Sequence, residues 1–138
     1  MDAIYTATAT ATGDGRNGHT ATDDGVLDVD VRIPKAMGGP GGATNPEQLF
    51  AAGYAACFHS ALKLVAAGEK ADVSGTEVSA SVAIGTLETG AFGLAVELDV
   101  HAPQLDHDAA LALAEKAHQV CPYSNATRGN VDVRLTVV

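Results

Sequence analysis

From Asn45 to Gly68 the chain reads NPEQLFAAGYAACFHSALKLVAAG, and no other stretch restricts the fold so tightly. Asn45 is a good N-cap, Pro46 suits the first helical position because its missing N–H would be unpaired there, and Glu47 complements the positive end of the helix dipole. Gly68 reads as the C-terminal stop. Between Leu49 and Leu62 there is no Asp, Glu, Lys or Arg, and a helix without a polar face lies in a core or in a membrane. The run reads as too short for a bilayer and is interrupted by Gly53, His59 and Ser60, which predicts a core helix. Cys57 sits in its middle.

A chain of 138 residues suits one domain, 1–138, with a core that needs no staples. Hydrophobic content of 46% excludes a disordered tail, and the absence of Trp with 4% aromatics makes the core one of Ala, Val and Leu. The net charge of −9 argues against nucleic acid or an anionic membrane surface as main partner. No secretory layout opens the sequence and no transmembrane segment is predicted, so a cytoplasmic location is expected. Two cysteines in that compartment point to catalysis or redox sensing if they pair at all.

Around the central helix the pattern is mostly strand. Ile4 to Thr12 alternates with period two, His19 to Thr22 is a partner for it across the turn GDGRNG, and Val26 to Ile33 alternates apolar with charged residues. Ala36 to Thr44 is a Gly-rich connector; Glu47 would repel phosphate, so it does not read as a phosphate loop. Thr76–Leu87 and Phe92–Ala102 form a hairpin about Thr89-Gly90. Asp106 caps a second helix whose buried face carries Leu111, Ala114, Ala117 and His118 or Cys121, and Pro122 ends it. Tyr123–Asn130 reads as a polar loop or short turn and Val131–Val138 as a last strand. Hairpins in place of βα alternation predict an α+β domain, with antiparallel sheets packed on two long helices.

Taken singly, Cys57 and Cys121 read as inert buried thiols. Together they occupy the only two long helices predicted, and 63 intervening residues leave a contact between them open. A reactive thiol needs its thiolate, which mid-helix burial disfavours, so a cation must approach Cys57. Arg16 and Arg128, each in a Gly-flanked loop, are the candidates, although a solvated loop arginine is the ordinary reading of either.

NPEQLFAAGYAACF (Asn45–Phe58) and CPYSNATRGN (Cys121–Asn130) resemble the two signature stretches of the organic hydroperoxide resistance proteins, the Ohr branch of the OsmC/Ohr superfamily. The likeness extends over the whole chain, including GDGRNG, and PYSNATRGN favours the Ohr branch. The resemblance implies an intertwined homodimer and a thiol peroxidase with no bound cofactor or metal. Cys57 matches the peroxidatic cysteine, Cys121 the resolving cysteine, Arg16 the arginine held against the thiolate, and Glu47 the carboxylate that orients it. The implied substrates are organic hydroperoxides, including those of fatty acids. The implied reductant is an external dihydrolipoyl dithiol on a lipoylated partner protein. These roles fit the chemistry: guanidinium keeps its charge, a carboxylate pins it bidentately, and a nearby thiol protects a sulfenate.

Glu47 and Cys57 are ten residues apart, about 15 Å along a straight helix. Either the helix breaks near Gly53 or Glu47 acts on the site of a second subunit, and the second reading is preferred. Leu49, Phe50, Phe58, Tyr123 and Met37 are candidates for an alkyl pocket, though core packing is the simpler role for most. Two rivals stand beside the peroxidase. One is a metal site from His118, Cys121 and Cys57 with Glu47 or His59. The other is a non-catalytic dimeric ligand-binding or oxidant-sensing protein of the same fold.

Overall fold

The central helix, α1, runs from Pro46 to Glu69 without a break at Gly53. Asn45 caps it as predicted, its Oδ1 accepting the Gln48 N–H at 2.9 Å. The stop lies two residues beyond Gly68. Lys70 takes the left-handed conformation (φ 56°), while Ala71 N–H bonds the Ala66 carbonyl and Lys70 N–H the Ala67 carbonyl, the Schellman closure. At 24 residues the helix is about 36 Å long, enough by length and composition to cross a membrane, which corrects the expectation that it is too short. What ties it to a protein core is the burial of Tyr54, Phe58, Ala61, Leu62 and Ala66. Only 28% of its most apolar window is buried within the chain, so much of its surface is left uncovered.

The computed structural model describes residues 1–138, and they divide into two compact units, Met1–Leu49 and Phe50–Val138. α1 begins in the first unit and continues into the second. The first unit is an antiparallel sheet of β1 (Ala9–Thr12), β2 (His19–Thr22) and β3 (Asp28–Asp30), in that order. β1 and β2 pair as the expected hairpin, with Ala9 opposite Thr22 through Thr12 opposite His19. The first and third strands are shorter than the sequence suggests, and Ile4 and Tyr5 are exposed. Small Ala and Thr side chains offer little to bury: Val31 and Asn45 are the buried residues of this unit. Thr44, at the end of the Gly-rich connector, bridges to Val31.

The second unit carries the core. Its sheet is β4 (Glu77–Thr86), β5 (Phe92–His101) and β6 (Asp132–Val137), in that order. The β4–β5 hairpin turns at Gly90, which has φ 84°. β6 runs parallel to β5, so this sheet is mixed and not antiparallel throughout. The reason is the crossover: a parallel neighbour needs a long connection, and α2 (His107–Val120) lies between the two strands. Asp106 Oδ1 caps α2 by accepting the Ala109 N–H at 2.8 Å. Its buried face is Ala110, Leu113, Ala114 and Ala117, leaving Leu111 only partly covered. A six-residue helix, α3 (Pro122–Thr127), stands where a polar loop or short turn is predicted. Proline at its first position starts a new helix as readily as it ends the old one. Tyr54, Phe58 and Leu62 of α1 join Val96, Leu98 and Val100 of β5 and Leu113, Ala117 and Cys121 in one cluster.

Candidate active site

Arg16 stands in a tight turn, Gly15–Asn17, between β1 and β2. Its neighbours pin that turn: Asn17 Oδ1 accepts the Ile33 N–H at 3.0 Å, and Arg32 Nη1 donates to the Gly18 carbonyl at 2.8 Å. Gly18 admits no side chain, since a Cβ there would lie 2.2 Å from the Thr12 carbonyl oxygen. So presented, Arg16 meets Glu47 of the same chain in a two-point pair, Nη1 to Oε2 at 2.9 Å and Nη2 to Oε1 at 2.7 Å. Both planar groups are satisfied edge to edge, the geometry that most strongly fixes a guanidinium. The Arg16 hydrogen bond holds the Glu47 carboxyl below the usual carboxylate range against the cost of burial. Glu47 in turn raises Arg16. Arg16 and Glu47 are thus paired within one chain.

The two cysteines are brought together. Cys57 and Cys121 are free thiols with their sulfurs 3.7 Å apart, at contact but beyond the roughly 2.05 Å of a disulfide. Cys121 is fully buried at the corner between α2 and α3, whereas Cys57 is partly open. Burial pushes the Cys57 thiol up, and the neighbouring thiol adds to this; the backbone N–H of Tyr123 pulls the other way.

An aromatic triangle flanks the pair. Phe50, Tyr54 and Tyr123 pack with ring centroids 5.6–6.1 Å apart. Gly53 makes room for it: a Cβ there would come within 2.8 Å of the Tyr123 hydroxyl. The glycine suspected of breaking the helix is instead a notch for a ring. Of the suggested pocket residues, Phe58 is wholly core, Phe50 is half-buried beside it, and Tyr123 and Met37 are exposed at 38% and 45%.

Arg128 does not serve Cys57. Its guanidinium bonds the His118 carbonyl and Asn125 Oδ1, closing the end of α2. The histidines of the metal alternative are also engaged: His59 Nε2 lies 2.9 Å from Thr76 Oγ1, and His118 Nδ1 lies 2.7 Å from Ser124 Oγ. Burial, then the Arg128 charge, holds the His118 imidazole below its usual range. The sequence reading missed a buried hydroxyl cluster, in which Tyr54 Oη meets Ser124 Oγ at 2.9 Å and Thr127 Oγ1 at 3.1 Å. Its signal was a spacing of three: Tyr54 precedes Cys57, and His118 and Ser124 bracket Cys121, each by three residues.

Known proteins share this arrangement of elements. The family model described as OsmC-like protein matches residues 39–136. The organic hydroperoxide resistance protein of Xanthomonas axonopodis pv. citri is 54% identical over 136 residues, covering 97% of this chain and 94% of the relative. The crystal structure of an organic hydroperoxide resistance protein from Elizabethkingia anophelis superposes with a TM-score of 0.94 at 56% identity, covering 99% of this chain and 98% of the other. OhrB of Bacillus subtilis gives a TM-score of 0.90 at 47% identity, covering 99% and 100%. The chain belongs to the OsmC-like family, in its branch of organic hydroperoxide resistance proteins.

Proposed function

We propose that this protein is a thiol peroxidase that reduces organic hydroperoxides, those of fatty acids included, to alcohols. The observation that carries the reading is the pair of free thiols 3.7 Å apart in a packed core, in a chain that also builds a fixed, two-point guanidinium–carboxylate pair. Relatives named for organic hydroperoxide resistance support it.

In the first step the Cys57 thiolate attacks the outer peroxide oxygen. An S–O bond forms, the O–O bond breaks, and the alkoxide takes a proton and leaves as the alcohol. The sulfur, oxidised by two electrons, is now a sulfenic acid. The Cys121 thiolate then attacks that sulfur, and hydroxide leaves with a proton as water while the disulfide forms. A dihydrolipoyl dithiol on a lipoylated protein reopens it by exchange and is itself oxidised to the cyclic disulfide. No bound cofactor enters this sequence.

A thiol raised by burial needs a cation that cannot lose its charge, and Arg16 supplies one. Glu47 and Cys57 are ten residues apart on an unbroken α1, about 15 Å along its axis. Arg16 and Glu47 therefore act on Cys57 of a second copy, in a homodimer that covers the open apolar surface of α1. The test is turnover of cumene hydroperoxide against hydrogen peroxide, with dihydrolipoamide and then glutathione as reductant. Rapid turnover that prefers the organic peroxide and the dithiol, and disappears in Cys57→Ser, is expected. No turnover by fully reduced wild type would overturn the reading.

A further inference from the structure

The hydroxyl cluster next to the cysteines belongs to neither the thiol pair nor the arginine pair, yet it is placed to act on one step. Residues three apart share a helix face. Tyr54 thus lies on the Cys57 face of α1, one turn earlier, and its bond to Ser124 ties that turn to α3. His118 and Ser124 flank Cys121 on either side, and their 2.7 Å bond spans the corner where the backbone leaves helical geometry at Cys121 (φ −63°, ψ 124°). Thr127 closes the set, donating to the Tyr123 carbonyl at 3.0 Å. Tyr54 and Ser124 are fully buried and Thr127 is 3% exposed.

Counting protons gives the set a direction. Each hydroxyl has one hydrogen to donate. Thr127 gives its own to the Tyr123 carbonyl, so it accepts from Tyr54; Tyr54 accepts from Ser124; Ser124 accepts from the Nδ1–H of His118. The Ser124 carbonyl, 3.2 Å from Thr127 Oγ1, is the alternative acceptor of the same proton; with either carbonyl the order satisfies every side-chain contact of the set and assigns the Nδ1–H tautomer to a neutral His118. No buried polar side-chain atom in the chain lacks a partner.

We propose that His118, Ser124, Tyr54 and Thr127 form a positioning clasp for the second chemical step, holding the Cys121 corner against α1 so that disulfide closure outruns over-oxidation. The proposal rests on the peroxidase reading above. Once Cys57 is a sulfenic acid, two reactions compete for its sulfur. Cys121 attack forms the S–S bond and expels water. A second hydroperoxide instead transfers another oxygen, giving sulfinic acid and a second alcohol. Only the first depends on where Cys121 is held.

Tyr54→Phe removes the central hydroxyl and keeps the ring that packs on Phe50 and Tyr123. The reduced protein is exposed to a fixed excess of cumene hydroperoxide. Intact-mass spectrometry then counts disulfide against sulfinic acid, and stopped flow follows the first oxidation. In Tyr54→Phe the ratio of sulfinic acid to disulfide should rise about fivefold, the effect of one buried hydrogen bond, while the first oxidation keeps its wild-type rate. Thr127→Val should move the ratio the same way, and Thr127→Ser, which restores the hydroxyl, should return it toward wild type. A wild-type ratio in Tyr54→Phe, or a first step slowed as much as the second, overturns the clasp. If wild-type Cys57 is not oxidised at all, the peroxidase reading itself fails and the clasp falls with it.

Discussion

The arginine–glutamate pair and the cysteine pair are held by opposite means. Arg16 and Glu47 belong to a unit whose first two strands are almost all Ala and Thr and whose buried residues are Val31 and Asn45. Two charge-assisted hydrogen bonds and a pinned turn do the work that packing does elsewhere. Cys57 and Cys121 belong to the other unit, where α1, α2 and β5 share one apolar cluster and the sulfurs are placed by shape. The contrast follows from chemistry. A guanidinium is costly to bury and easily steered by a carboxylate, whereas a thiol packs like a small hydrophobe. The same burial makes the thiol a poorer acid. The proposed enzyme combines the two pairs.

Substitutions can break this contrast at either end. Phe58→Ala, in the core, should lose about 3–5 kcal/mol of stability, read as a lower denaturant midpoint at unchanged slope; a loss below about 1 kcal/mol would show that packing does not place the thiols. Arg16→Lys keeps the charge and loses the fork, so the first oxidation of Cys57 should slow by about 10²-fold with the melting temperature nearly unchanged. A rate within twofold of wild type would mean that charge alone suffices.

Glu47 sharpens the comparison through pH. Its folded pKa is depressed by the Arg16 hydrogen bond, so the pair's stabilisation is fully present above the ordinary glutamate pKa and lost as pH falls through the lower folded value. Wild type should therefore exceed Glu47→Gln in stability by a constant amount at neutral pH, the gap closing in acid. A gap that persists in acid would contradict the ionic account. Thr10→Ser is the control of smallest effect: at an exposed position of the sheet without a core, it should change stability by no more than about 0.5 kcal/mol.

Much of this was legible in the sequence because the signals were local. The Asn45 and Asp106 caps, the β1–β2 hairpin pairing and the β4–β5 turn each follow from a few adjacent residues. Cys57, Cys121 and Arg16 stood out as candidates from their chemistry, but the roles proposed for them and for Glu47 come from motif resemblance. What the sequence hid depended on distant partners. Lys70 stops α1 in place of Gly68 because stopping depends on which carbonyls find donors. β6 pairs parallel because sheet order is not a local property. Ser124 and Thr127 looked like loop polars, yet they are buried because Tyr54, some 70 residues earlier, supplies a hydroxyl for both.

Mixed dimers test the central claim most directly. Cys57→Ser and Arg16→Ala chains, carrying different tags, are co-expressed; the heterodimer is purified and assayed with cumene hydroperoxide and dihydrolipoamide beside each homodimer. If Arg16 and Glu47 of one copy serve Cys57 of the other, both homodimers are inactive while the heterodimer regains one intact site and turns over. A heterodimer as inactive as its parents would contradict the account, returning Arg16 and Cys57 to a single chain or removing Arg16 from the chemistry.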